Sequence, residues 1–135
     1  RLRRGKLYGL AKELNCNKIA LGHHLDDMLH TLLMNLTFQG SFSTMPPMLT
    51  MNKFDMKVIR PLCLVEETQI AELARLRAYK KQKNNCPYET YSHRTSVQTL
   101  LDQMIQLNPN AKSSLLRAMT NIQTDYLPKE SEIIG

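Results

Sequence analysis

The sequence has few cysteines, and they are poorly spaced for any joint role. Only Cys16, Cys63 and Cys86 occur among the 135 residues. An odd number at such wide spacing favours neither a disulfide framework nor a zinc site that the chain completes by itself. We therefore expect a reducing, cytoplasmic compartment.

Long apolar runs, low-complexity blocks and internal repeats are also missing. No apolar stretch reaches the roughly 20 residues that a membrane-spanning helix needs, and the first residues do not form a signal-peptide pattern. We therefore expect no membrane partner. With 42% hydrophobic and 22% charged residues, the composition is that of a globular protein of about one domain.

Acidic residues are outnumbered by basic ones. The chain has 18 Lys and Arg against 12 Asp and Glu, which gives a formal net charge of +6. An excess of this size favours a polyanionic partner such as a nucleic acid or a nucleotide, although many ordinary domains are as basic.

In the first part of the chain, the spacing of apolar residues predicts a helix, a strand and a second helix. The first helix covers residues 2–15, and "KIALG" at 18–22 suits a buried parallel strand. The second helix begins at Asp26 and ends near Gly40. The predicted inward faces comprise Leu7, Leu10, Ala11 and Leu14 on the first helix and Met28, Leu29, Leu32, Leu33 and Leu36 on the second. This alternation is typical of an α/β sheet.

The rest of the chain predicts a β-hairpin and C-terminal helices. A loop containing Pro46 and Pro47 cannot continue the preceding helix. Strands at 48–51 and 56–61 then flank "NKFD", a plausible hairpin connection. Three further helices are predicted over 66–79, 96–107 and 111–127, the last of them ending at Pro128.

The stretch "GHHLDD" crowds titratable groups at the point where the predicted strand meets the next helix. In an open α/β sheet, ligands bind at this end of a strand, where the helix offers free N–H groups and the positive end of its dipole. Gly22 would let the backbone approach a ligand closely. His23 and His24 could donate to phosphate oxygens, and Asp26 and Asp27 could hold Mg²⁺ or accept a proton.

Two structural explanations compete with a ligand site. One of the two aspartates could simply cap the helix while the histidines are solvated, although capping explains a single polar residue of the five. Alternatively, His23 with Asp27 and Asp26 with His30 are four residues apart and could form a metal site on one helix face. That arrangement would need a further ligand, and His93 is the one histidine left.

The stretch "LGHHLDDMLHTLLMNLTFQG", followed by "MPP" and "VIRPL", resembles the PP-loop ATP pyrophosphatase superfamily. Within it, "RLRRG", "CPYETYSHR" and "AMTNIQTDYLP" make the chain similar to the tRNA 2-thiocytidine biosynthesis family. The resemblance implies the Rossmann-like adenine nucleotide alpha hydrolase fold. It also implies an ATP-dependent enzyme that adenylates a cytidine of the tRNA anticodon loop and replaces its 2-oxygen by sulfur.

Two motifs of that family are missing from the sequence. Members carry an SGGxDS loop, whose amides cradle the ATP pyrophosphate, and a CxxC pair just before "RLRRG". We therefore expect residues 1–135 to be the C-terminal part of a longer enzyme. Neither a complete ATP site nor an iron–sulfur cluster is expected in this chain alone, and the apolar strand edge left uncovered predicts a homodimer.

Residue by residue, the resemblance assigns Gly22, His23 and His24 to ATP and Asp26 and Asp27 to Mg²⁺. It implies catalytic roles for His24, Asp26 and Asp27. Cys86 matches the family's third ligand of a [4Fe-4S] cluster, and a sulfur donor such as a cysteine desulfurase is implied. Cys16 and Cys63 match no motif and are interpreted as packing residues.

Basic residues beside these motifs are candidates for contacts with the tRNA backbone, although such residues are often merely solvated. The candidates are Arg1, Arg3, Arg4, Lys6, Arg60, His93 and Arg94, with Lys80, Lys81 and Lys83 in the same basic connection. Three alternatives stay open: an enzyme like the lysidine synthetases, which share a GHHxDD motif, a catalytically incomplete RNA-binding or assembly module, and a metal-dependent phosphohydrolase.

Overall fold

The computed structural model describes residues 2–53, 55–80 and 93–133, with side chains from residue 5 onward. The elements in these ranges are α1 (Leu2–Glu13), β1 (Lys18–Ala20), α2 (Leu25–Met34), β2 (Met48–Met51), β3 (Met56–Ile59), α3 (Glu67–Leu76), α4 (His93–Leu107), α5 (Ala111–Ala118) and α6 (Glu130–Ile133). The predicted α/β class, with its hairpin and C-terminal helices, is confirmed. Among the described helices, none combines the length and apolar character needed to cross a membrane.

The three strands form one small mixed sheet in the order β1-β3-β2. β1 runs parallel to β3, with Ile19 opposite Val58, and β2 runs antiparallel to β3, with Leu49 opposite the same Val58. The predicted parallel strand and the hairpin are therefore both correct. In β1, Ile19 is buried while Lys18 and Ala20 are exposed, so the described residues cover one face of that strand.

Two separate apolar clusters stabilise the described part of the chain. The larger lies between α2 and α4, where Leu29 and Leu101 are fully buried, and α5 packs against it. The smaller lies between α1 and the sheet and contains Ala11, Ile19 and Met56. The stretch between β1 and α2 joins the two clusters, and it is the "GHHLDD" stretch.

The inward face of α2 agrees with the sequence pattern for four of its five predicted residues. Met28, Leu29, Leu32 and Leu33 are buried, but Leu36 is 41% exposed, so its predicted place in the core is wrong. The helix changes at residue 35 into a π-helical segment, Asn35–Gln39. The wider turn of a π-helix rotates the residues that follow away from the 3.6-residue stripe.

Gly40 ends this helix as the sequence predicts. Its φ of 59° lies in the left-handed region, where glycine has no steric penalty.

The apolar positions of α1 are less well covered than predicted. Its helical conformation is confirmed, but Leu7, Leu10 and Leu14 are 42%, 51% and 66% exposed, and only Ala11 of the predicted face is buried. The residues that the structure describes therefore leave a row of leucines on the surface. Periodicity predicts which face of a helix is apolar, but not whether another element covers it.

The last long helix ends earlier than predicted. α5 stops at Ala118 rather than near Leu127, and the Thr120 hydroxyl donates to the Arg117 carbonyl at 3.1 Å. Such a local side-chain bond satisfies a carbonyl that a continuing helix would use. A 3₁₀ turn at Thr124–Tyr126 and the short α6 follow.

The packing of α2 on α4 gives a test of the larger cluster. Leu29→Ala should lower the free energy of unfolding by about 3 kcal/mol, because it leaves a cavity in a fully buried site. Leu107→Ala, at an 88% exposed position on α4, should change it by less than about 0.5 kcal/mol. Urea denaturation followed by circular dichroism measures both. Equal effects of the two substitutions would contradict this assignment of the core.

Candidate functional site

The residues that follow β1 form the entrance to α2. His24 is the N-cap of the helix, in extended conformation with φ −113° and ψ −178°. Its Nδ1 accepts from the Asp27 backbone N–H at 3.4 Å, and the Asp27 carboxylate accepts from the His24 backbone N–H at 3.1 Å. This is a reciprocal capping box. The hypothesis that an aspartate caps the helix while the histidines are solvated is therefore wrong, because His24 is the cap and Asp27 is its partner three residues on.

The Asp27 carboxylate also binds a residue from a distant helix. Its Oδ2 lies 3.3 Å from His24 Nε2, and its Oδ1 accepts a hydrogen bond from the Arg94 guanidinium. Arg94 is the second residue of α4, and its side chain is 59% exposed while that of Asp27 is buried. A residue predicted to contact RNA is thus brought into the His/Asp cluster.

Asp26 has a partner for each of its two carboxylate oxygens. Its Oδ1 lies 2.7 Å from Lys112 Nζ, and its Oδ2 accepts from the Glu67 backbone N–H at 2.8 Å. Lys112 also binds Glu66 at 2.9 Å. One buried carboxylate therefore connects the start of α2 to the starts of α3 and α5.

The pKa of Asp26 reflects these contacts. Burial alone would raise the pKa and is the largest single effect. The hydrogen bonds from Lys112 and from the Glu67 backbone, together with the charge of Lys112, outweigh burial and hold the pKa of this carboxyl below its ordinary value.

Lys112 was not among the residues that the sequence suggested. It lies in the first turn of α5, where a positive charge is unfavourable next to the positive end of the helix dipole. This position is a weak sign of a nearby carboxylate, but nothing in the sequence identifies that carboxylate as Asp26.

The two aspartates differ in how well they fit a divalent cation. Both oxygens of Asp26 are used by an ammonium group and a backbone N–H, and the residue is 6% exposed. On Asp27 one oxygen is held by an exposed arginine, which can move into solvent. Movement of Arg94 into solvent would free Oδ1 of Asp27 for a cation, whereas each Asp26 oxygen keeps a partner from α3 or α5.

The alternative of a helical metal site is not supported by the described part of the chain. There, no group of three or more His, Cys, Asp or Glu residues lies close enough to hold a metal ion. His93, the ligand that such a site would need, packs instead on Phe38 with ring centroids 4.5 Å apart.

His30 lies beneath this cluster. It is 5% exposed, and its Nδ1 has no hydrogen-bond partner among the described residues. Burial and then the positive charge of Arg94 lower the pKa of His30, although the nearby carboxylates act in the opposite direction. A cavity of about 120 Å³ is lined by His30, His23, Asp27 and Arg94, among others.

Gly22, His23 and Arg60 lie together on the sheet side of the cluster. A Cβ at Gly22 would meet nothing within 4 Å, so the space beside this backbone is open. Arg60 follows β3 and is buried, and its Nε donates to His23 Nδ1 at 3.4 Å. The alternative that Arg60 is a solvated strand-end residue is therefore wrong.

Several predicted residues lie outside the described residues or away from the cluster. Cys86, Lys81 and Lys83 and the side chains of Arg1, Arg3 and Arg4 are outside the described part of the chain. Lys6 and Lys80 are exposed. Cys63 is buried, as expected of a packing residue, whereas Cys16 is exposed and does not fit that interpretation.

Comparison with known proteins gives a family match and curated relatives. Residues 1–121 match the PP-loop domain family. The tRNA-cytidine(32) 2-sulfurtransferase of Geobacter sulfurreducens is 43% identical over 129 residues, covering 94% of this chain and 50% of that protein. The protein of the same name from Psychrobacter arcticus is 41% identical over 128 residues, covering 94% of this chain and 34% of its own length. The chain therefore spans half the length of these relatives or less.

A solved structure shares the fold. The U34-tRNA thiolase NcsA from Methanococcus maripaludis, solved with its [4Fe-4S] cluster, superimposes with a TM-score of 0.67 at 29% identity. The match covers 94% of this chain and 43% of the thiolase chain. The fold expected from the sequence motifs is confirmed by this likeness.

The Asp26–Lys112 pair predicts a particular pH dependence of stability. Because the pKa of Asp26 is below its ordinary value of 3.8, its ionised form stabilises the fold above that pH. The stabilisation is lost as the pH falls through the lower folded-state value. Asp26→Asn should therefore destabilise the chain by about 3 kcal/mol at neutral pH and reduce its sensitivity to acid.

The matched control is Asp102→Asn, which removes the same charge from an exposed position on α4. Urea unfolding at a series of pH values below neutrality compares the two variants with the unsubstituted chain. An acid dependence of Asp26→Asn that parallels that of the unsubstituted chain would show that this carboxylate does not carry the effect.

Proposed function

The chain belongs to the PP-loop domain family, and we propose on that basis that it forms part of an ATP-dependent tRNA sulfurtransferase. In this proposal residues 1–135 are the C-terminal part of its thiolation domain. The enzyme adenylates a cytidine of the tRNA anticodon loop and then replaces the 2-oxygen by sulfur. The observation that carries the proposal is the His/Asp cluster at the N-terminus of α2, in a chain that resembles curated tRNA-cytidine(32) 2-sulfurtransferases.

The first step needs an environment that favours negative charge on a departing pyrophosphate. The N-terminus of α2 supplies the positive end of a helix dipole, and the open backbone at Gly22 permits close approach. In this proposal His23 would donate to phosphate oxygens, and His24 would donate from its Nε2, which now lies 3.3 Å from Asp27 Oδ2. The capping box holds the His24 ring in position, so its orientation does not depend on the ligand.

The two aspartates have different roles in this proposal. Asp27 is the carboxylate that would hold Mg²⁺, which when bound would neutralise phosphate charge. Asp26 holds α3 and α5 against α2 through the Glu67 backbone and Lys112. Its contribution to catalysis is to fix the position of the helix on which Asp27 and His24 lie.

The sulfur chemistry involves Cys86, which we propose as one ligand of a [4Fe-4S] cluster. Other cysteines of the complete enzyme would supply the remaining ligands, since Cys16 and Cys63 match no motif for this role. When bound, a cluster held by three protein ligands would supply an open iron site for the sulfur to be transferred. A donor such as a cysteine desulfurase would replenish that sulfur.

The tRNA would approach over the exposed basic residues near the cluster. Arg94 and His93 begin α4 directly beside Asp27, and Lys6 is exposed on α1. Contacts of this kind bind the phosphate backbone without regard to sequence and weaken as salt increases. We also propose a cytoplasmic location, since the substrate in this proposal is tRNA.

We also propose that the chain forms a homodimer. In the described residues β1 pairs on one side only, and Leu10 of α1 and Leu14, just after α1, are exposed. Light scattering should give a dimer mass at high protein concentration, and Leu10→Glu should shift the chain to monomer because it charges this face. Leu107→Glu, at an exposed position on α4, should leave the dimer unchanged. A monomer mass at every concentration would refute the dimer.

The proposed function is tested in cells of the source organism. Deletion of the gene should remove 2-thiocytidine from tRNA, as measured by mass spectrometry of digested nucleosides. The unsubstituted gene should restore it, whereas Asp27→Asn should reduce the restored level roughly a hundredfold, because the charged carboxylate of the site is lost.

Asp102→Asn provides the matched control, since it makes the same chemical change at an exposed position. It should restore 2-thiocytidine fully. Normal 2-thiocytidine in the deletion strain would exclude the proposed function.

A further inference from the structure

A large cavity lies between α1 and the sheet, at the carboxyl ends of β1 and β3. Its volume is about 520 Å³, which falls within the range of small-molecule sites in proteins. One wall is apolar and is built by side chains such as Leu49 and Val58 of the sheet and Leu7 of α1. Tyr8 adds an aromatic ring to this wall.

The other end of the cavity is polar and contains a buried positive charge. Arg60 is 9% exposed and donates to the Pro46 carbonyl at 2.5 Å and to His23 Nδ1 at 3.4 Å. Within the described ranges, no carboxylate lies within ion-pair distance of its guanidinium. A guanidinium has five N–H groups, so donors remain beyond these two bonds. A buried charge without an anionic partner is costly, and this one lines a cavity that an anion can enter.

An apolar slot that ends in a cation fits a nucleotide. The ring of the base would lie against the leucine, valine and tyrosine side chains, as bases commonly do in proteins that bind single strands. A phosphate of the same nucleotide would reach Arg60, whose planar fork matches phosphate oxygens.

His23 lies at the boundary between two cavities. His23 lines this cavity and also the smaller cavity that contains Asp27, His30 and Arg94. In the proposed function, the phosphates of ATP lie on the side of Asp27 and the α2 N-terminus. The larger cavity, on the other side of His23, is then available to the second reactant.

We propose that this cavity receives the target pyrimidine nucleotide of the RNA, drawn out of its stack, with its phosphate on Arg60. This inference rests on the proposed function and identifies where the RNA substrate enters the site. Enzymes that act on a base commonly extrude it into a pocket of this kind. Arg60 is then a binding residue for the substrate.

The test uses the unsubstituted chain with methyl-labelled methionines and the probe cytidine 5′-monophosphate. Met51 lines the cavity, whereas Met104 packs against the α2–α4 cluster. Millimolar cytidine monophosphate should shift the methyl resonance of Met51 and leave that of Met104 unchanged. Adenosine monophosphate should shift Met51 less at the same concentration. An equal or larger shift with the adenine nucleotide, or no shift with either, would overturn the inference.

Two substitutions test the residues themselves. Arg60→Met should weaken cytidine monophosphate binding at least about tenfold, while Arg75→Met, at an exposed arginine on α3, should leave it unchanged. Equal binding by Arg60→Met would overturn the role of Arg60. If circular dichroism shows that Arg60→Met does not fold, Leu49→Trp decides the question. It fills the cavity and should abolish the Met51 shift, and a retained shift would refute the site.

The binding experiment and the gene deletion test two different claims, the substrate cavity and the enzyme assignment. If the cavity does not take cytidine monophosphate while deletion of the gene removes 2-thiocytidine, the substrate site is wrong and the enzyme assignment stands. If 2-thiocytidine persists in the deletion strain, the enzyme assignment fails whatever the cavity binds.

Discussion

The arrangement of the described helices depends on the contacts of one ionised carboxylate, that of Asp26. It is buried, and it binds Lys112 of α5 and the backbone N–H that begins α3. The larger apolar cluster orders α2 and α4, but α3 has no buried side chain of its own. A polar contact therefore fixes the position of the start of α3, because no buried apolar side chain of α3 does so. Removing one partner would leave the other charge buried, which is why such pairs are sensitive to substitution.

The same short stretch joins the two apolar clusters. The Leu25 backbone N–H donates to the Val65 carbonyl at 2.9 Å, and the Arg60 side chain contacts His23. Thr44, in the loop before β2, donates its hydroxyl to the Met28 carbonyl. The geometry of the candidate site is consequently also the geometry of the joint between the sheet and the helical cluster. A substitution there changes stability and ligand geometry together, so the two effects need separate measurements.

Local sequence patterns were sufficient to predict most helices and strands. They were insufficient to predict which of their apolar residues are buried and where some helices change or end. The stripe of α2, the hairpin and the glycine that ends the π-helical segment follow from periodicity and backbone preference, which are properties of neighbouring residues. The exposure of Leu36, the uncovered leucines of α1 and the early end of α5 were not predictable in this way. They depend on a π-helical turn, on what packs against a face and on a side-chain bond at a helix end.

The candidate site likewise contains residues that the sequence predicts and residues that it does not. The cluster from Gly22 to Asp27 could be predicted because its members are adjacent in the sequence. The partners of the two aspartates could not, because Arg94 and Lys112 reach them across long stretches of chain and follow no shared motif. Arg94 was expected at an RNA surface, and its bond to Asp27 is a property of the tertiary structure alone. The sequence thus predicted the cluster, and the structure shows that its two aspartates have different long-range partners.

The bond between Arg94 and Asp27 has a consequence for ligand binding, because a bound phosphate would compete with the Asp27 carboxylate for the Arg94 guanidinium. The guanidinium is largely in solvent, so a phosphate of an approaching polyanion and the Asp27 carboxylate attract the same group. When the phosphate takes the arginine, Asp27 is released and its affinity for a cation rises. By thermodynamic linkage, a cation on Asp27 raises the affinity of Arg94 for the polyanion by the same factor. A single exposed ion pair is thereby sufficient to make two ligands that never touch bind cooperatively.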